Sequence, residues 1–179
     1  MFITALVLIA RTILVIPPAL ATPQGVAGIT RDVTPDSLEM MFFGETIEHT
    51  TENLGEGQFL NVTVVSAGTD RELAVFWTDE GTPLEVRMRG AYWRTAEGIG
   101  MGSTLVELEA AIGEFEILGY AWDNEGYALL WETPYEGLFI RLLPLDGESP
   151  AEFMGDSAFP SSLLRDLNPV VADFRVSFF

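Results

Sequence analysis

The 179-residue chain contains no cysteine. That excludes disulfide frameworks, thiolate nucleophiles and thiolate zinc sites. Histidine occurs once, as His49, which is too few for a usual imidazole metal site. Lysine is absent as well, so nine arginines stand against 27 acids and the formal net charge is −18. A surface this acidic repels nucleic acid and anionic lipid, and suits high external salt, where self-repulsion is screened. The Gly-x-Ser-x-Gly and Ser-x-x-Lys nucleophile patterns are also missing.

The one long apolar run lies at the start. "FITALVLIARTILVIPPAL" is interrupted by Arg11, closed by Pro17-Pro18 and followed by Ala19-Leu20-Ala21, a small-x-small pattern. This predicts an export signal over residues 1–21, cleaved near Ala21, with a periplasmic or secreted product and no membrane span in the mature chain. Residues 22–28, "TPQGVAG", are expected to form a flexible tether.

Beyond the tether the expected class is α+β, with short helices packed on antiparallel meanders. Thr34 is positioned as an N-cap and Pro35 as N1. Leu38, Met41 and Phe42 form the helical stripe, and Gly44 the stop. The acidic segment "ETIEHTTENLGEGQ", 45–58, shows no period and is expected to be an exposed loop. Strand patterns follow at 59–66, 72–78 and 84–89, joined by turn-forming stretches. In the third, Leu84, Val86 and Met88 are expected on the buried face, with Glu85, Arg87 and Arg89 on the wet one.

A second unit has the same order. Thr104 and Glu107 have capping-box spacing, Leu105, Leu108 and Ile112 make the stripe, and Gly113 ends it. Strands are expected at 115–122, 127–132 and 138–143. "ELAVFWTDEGTPLEVRM" aligns without a gap on "GYALLWETPYEGLFIRL", placing Trp77 on Trp131 and Arg87 on Arg141. This predicts a tandem repeat of a helix-plus-three-strand unit: a first unit at 29–94, and a second at 95–179 ending in a C-terminal edge strand. In that strand Ala172, Phe174, Val176 and Phe178 alternate with Asp173, Arg175 and Ser177.

The stretch "GIGMGST", with "GYAWDNEG" and the tail "LNPVVADFRVSF", resembles an exported bacterial family that has a Gly-Ile-x-x-Gly-Ser-Thr helix start and a Gly-aromatic-x-Trp-Asp turn. More distantly, Gly102-Ser103-Thr104 with Leu108 and Gly113 resembles the repeat of the beta-lactamase inhibitor protein family. That family differs in having Met between Gly and Thr, and disulfides. These resemblances imply small helices on antiparallel sheet and a role in binding a partner.

For chemistry, the glycines at 98, 100 and 102 ahead of a helix suggest a phosphate cradle, but the Walker lysine is missing and the spacing is not Gly-x-Gly-x-x-Gly. They are expected to mark a helix start. "WDNEGY", 122–127, lacks the ligand ladder of a calcium loop and reads as a hairpin turn. No catalytic residue, metal ligand or cofactor site emerges. Arg87, Phe139 and Arg141 remain as candidate partner-binding residues, because aromatic and Arg side chains on a helix-free sheet face have hot-spot composition. The expected function is an exported, non-enzymatic binding module for a protein or envelope component. The alternative is a carboxylate-based hydrolase of glycan or peptidoglycan, since a catalytic pair has many acids to draw on.

Overall fold

The computed structural model describes residues 19–55, 57–121, 125–149 and 151–178. The fold is α+β, and among the described residues all strand pairing is antiparallel except one isolated bridge between Leu20 and Arg94. Residues 1–18 of the export segment predicted over 1–21, and Trp122 to Asn124 of the predicted turn, lie outside the described residues.

The main sheet has six strands. β3 (Ile47–Asn53), β4 (Phe59–Val65), β5 (Leu73–Trp77) and β6 (Pro83–Met88) form a continuous meander. β11 (Val170–Ser177) pairs next to β6, and β9 (Leu138–Leu143) closes the order β3-β4-β5-β6-β11-β9. A smaller sheet orders β10 (Ala158–Pro160), β7 (Glu116–Leu118) and β8 (Ala128–Leu129), and a short hairpin joins β1 (Ala21–Thr22) to β2 (Gly25–Val26).

Because side chains alternate across a strand, each face of the main sheet carries its own set. The inner face presents Val65, Leu73, Val75, Val86, Ile140 and Phe174 to one core. That core also takes in Leu38 and Phe42 from α1 (Pro35–Met41), Leu105 and Leu108 from α2 (Leu105–Ile112), and Ile117 from β7. Both helices start as their sequence signals require. Thr34 accepts from the Ser37 amide at 3.3 Å and its own amide donates to Ser37 Oγ at 2.8 Å. Thr104 makes the same reciprocal pair with Glu107, at 3.2 and 2.8 Å.

Several expectations are corrected. The predicted tether is the β1–β2 hairpin, with Ala21, Val26 and Ala27 buried in the core. The predicted acidic loop contains β3, paired with β4 at seven positions. Both faces of that edge strand are largely wet, so no period-2 apolar signal marks it, although Ile47, Thr50 and Thr51 have β-branched side chains suited to a strand. The expected C-terminal edge strand is interior, flanked by β6 and β9. A register shift between Val171 and Asp173 turns Val171 inward and leaves Ala172 exposed. A shift between Phe76 and Trp77 acts likewise on β6. There, Leu84 packs on the outer cluster while Val86 and Met88 enter the main core.

The two aligned segments also diverge. β5 and β6 are neighbours in one sheet, whereas β8 belongs to the smaller sheet and β9 to the larger. Trp77 is buried at 4% exposure and Trp131 is 71% exposed. The correspondence reaches β6 and β9, which flank β11 on either side.

Candidate functional site

The outer face of the main sheet is covered by neither helix. Its β4–β5 half carries a small apolar cluster of Val62, Val64, Ala74 and Phe76, with Leu60 and Leu84 packed against it. In place of a helix, arginines lie over it. The Arg87 guanidinium stands 4.3 Å from the Phe76 ring centroid and Arg89 stands 5.9 Å from it. Arg89 in turn donates to both oxygens of Glu52, at 2.6 and 2.7 Å.

The other half holds the three candidate residues, and the structure places all of them on this face. Arg87 and Phe139 are brought into one row by a residue between them. Arg175 of β11 is opposite Arg87 on one side and opposite Phe139 on the other. Arg141 lies one step along, opposite Asp173. Arg175 is the site's centre. It donates to Tyr127 Oη at 2.7 Å and to Glu85 Oε2 at 3.2 Å, and its guanidinium lies 5.2 Å from the Tyr127 ring and 5.4 Å from the Phe139 ring. Tyr127 Oη donates to Asp173 at 2.7 Å. Burial, followed by the Asp173 charge, pushes the Tyr127 phenol up to about 12.

This geometry sorts the candidates. Arg87 is engaged within the molecule, donating through Nε to Glu85 at 2.5 Å and covering Phe76. Phe139 is 41% exposed and lines two grooves. The first, about 340 Å³, runs between Leu118, Leu129, Trp131 and Phe139, with Tyr127 and Arg175 at its side. The second, about 490 Å³, continues past Leu84, Glu85 and Arg87. Trp131 and Arg175 were not singled out from the sequence. The signal for Arg175 was present in the alternation of the tail, but only the interior position of β11 carries it into the row.

The glycine-rich stretch proves to be self-satisfied. The Gly102 amide donates to Val171 O at 2.9 Å, the Leu105 amide to Pro169 O at 2.8 Å and the Val106 amide to Asn168 Oδ1 at 3.1 Å. Thr104 and Glu107 amides are taken by the capping box. A helix start whose donors are already used offers no phosphate cradle.

Elsewhere, His49 contacts Glu39 at 3.1 Å and Thr63 at 3.2 Å. Among the described residues no group of three or more His, Asp or Glu is placed to hold a metal ion. Among the described residues the carboxylates with a resolved shift, Glu97, Glu107 and Glu109, are all lowered. Tyr135 donates to Glu97 at 2.6 Å, and the Thr104 backbone donates to Glu107. For Glu109, burial pulls upward but is outweighed by donors from Arg165 and Ser161. A lowered carboxylate stays ionised at neutral pH, the opposite of what a general acid needs.

No protein-family model matches the chain, and no curated protein sequence matches it. Among solved structures the chain is similar to the crystal structure of the uncharacterized protein yfeY from Escherichia coli. The TM-score is 0.58, over 89% of this chain and 99% of that one, at 11% identity. At that identity the likeness is one of fold.

Proposed function

We propose that the protein is an exported, non-enzymatic binding module that holds a protein or envelope component against the outer face of its main sheet. The observation that carries this reading is the juxtaposition of Phe139 and Trp131, both exposed, along a groove whose polar side is the ordered Arg175–Tyr127–Asp173 network. Exposed aromatics beside a preorganised Arg network have the composition of a hot spot, and the network costs little further ordering on binding.

The test is photocrosslinking in the native cell envelope. A photoreactive side chain at position 139 or 131 is expected to yield one discrete adduct. The same probe at exposed Leu163, outside the groove, is expected to yield none. Adducts that do not distinguish these positions would overturn the assignment, and a chain found only in the cytoplasm would overturn export.

A further inference from the structure

We infer that β3 is a docking edge that accepts an extended, arginine- or lysine-bearing peptide segment as a seventh strand of the main sheet. Its hydrogen bonding settles which groups are free. The Ser66 amide donates to Thr46 O at 2.8 Å and the Leu54 amide to Gln58 O at 2.9 Å, at the two ends of the β3–β4 ladder. Antiparallel pairing alternates, so the even-numbered residues between them turn N–H and C=O toward β4. Ile47, His49, Thr51 and Asn53 turn theirs to the open side.

This edge lacks the backbone protections of an edge strand, and its charged side chains are acidic. Its seven pairs run without a bulge, and it carries neither proline nor lysine. Beside it lies a groove of about 410 Å³ lined by Phe42, Phe43, Ile47 and His49, with Glu39 and Glu45 at its rim. Phe43 is 79% exposed. An edge ladder that gives affinity, next to an open recess bordered by exposed Phe43, is the arrangement of strand addition.

Charge selects the occupant. Glu48 makes no ion pair among the described residues, and the whole chain carries −18. A second copy is disfavoured. Self-pairing over the full strand, two-fold about Thr50, sets Glu48 of each copy opposite a Glu52 whose charge Arg89 already meets, so what opposes a dimer is the repulsion of two chains that each carry −18. A basic strand meets Glu48 with favourable sign and is steered by the net charge.

The probe is a synthetic seven-residue peptide of alternating valine and arginine with one central phenylalanine, titrated into the full chain. Binding is expected to slow amide exchange at Ile47, His49, Thr51 and Asn53, while Glu48, Thr50 and Glu52 are slow already in the free chain. Thr51→Pro removes one outward N–H and leaves the β4 ladder intact, and should weaken binding at least tenfold. Should that variant fold poorly, Glu48→Arg tests the charge without touching the backbone, with a similar loss expected. Equal affinity for the same peptide with glutamate in place of arginine, or protection elsewhere, would overturn the assignment. So would a concentration-dependent dimer abolished by either variant. Substitution of Phe139 and Trp131 should leave this binding unchanged, which separates the edge from the outer-face site.

Discussion

The Arg87 guanidinium lies 4.3 Å above the Phe76 ring, and Phe76 is fully buried although it points away from the main core. The arginine stem and its charged head do the covering that a helix does on the opposite face. Glu85 fixes the head by accepting from Nε.

Arg87→Ala is therefore expected to destabilise the fold by about 1–2 kcal/mol, more than a typical exposed Arg truncation. Arg87→Met should recover part of the loss by keeping the stem over the ring. Urea denaturation of the three proteins checks this. Equal stability of the alanine variant and the parent would show that Phe76 is covered by its other neighbours alone.

Three tyrosines, Tyr120, Tyr127 and Tyr135, are pushed up to about 12, in each case chiefly by burial. The folded state therefore holds their protons more tightly than the unfolded chain, whose phenols titrate near 10. Their contribution to stability is fully present below pH 10 and is lost as pH rises toward 12. Alkaline titration followed by tyrosinate absorbance should show these three ionising late, together with loss of the near-ultraviolet circular dichroism of the native fold. Tyr127→Phe should remove one late-titrating group. It should also weaken the fold by about 1 kcal/mol, through loss of the bonds to Asp173 and Arg175.

Much of this architecture was legible because its signals are local. The caps at Thr34 and Thr104 and the alternation in β4, in β9 and from Glu85 to Met88 of β6 each depend on residues a few positions apart. What was not legible depends on distant pairing. β3 has no apolar period because an edge strand wet on both faces needs none. The interior position of β11 follows from its pairing with β6 and β9, residues 27 to 92 positions away in the chain, from Val170 with Leu143 to Ser177 with Glu85. For the site, the outward direction of Arg87, Phe139 and Arg141 could be read from alternation. Their union through Arg175 could not, and neither could the contrast between buried Trp77 and exposed Trp131.

The hairpin at the start of the described chain gives a prediction about length. Ala21 N donates to Arg94 O at 2.8 Å, Arg94 N to Ala19 O at 2.9 Å and Ala27 N to Leu20 O at 3.3 Å. A chain beginning at Thr22 loses all three bonds and the buried Ala21 methyl. It should be less stable than one beginning at Ala19 by about 3 kcal/mol, at roughly 1 kcal/mol per bond. Thermal unfolding of the two forms measures the difference. Coincident curves would mean that the segment around Arg94 keeps its place without these partners.

The glycines ahead of α2 separate two reasons for lacking a side chain. At Gly100 a Cβ would sit 2.2 Å from Trp93 O and 2.8 Å from Arg94 Cδ, so the neighbouring backbone would have to move. At Gly98 the space is open, but φ is +89°, a conformation that side chains disfavour. Gly100→Ala should therefore cost about 1–3 kcal/mol and disturb the indole of fully buried Trp93, visible as a change in tryptophan fluorescence. Gly98→Ala should cost about 1 kcal/mol and leave the fluorescence as it was. The order matters more than either value. A phosphate-binding loop would need both glycines for the approach of a ligand, whereas here one makes room for Trp93 and the other turns the chain toward Thr104. If the two variants proved equally mild, the close approach at Gly100 would not constrain the fold.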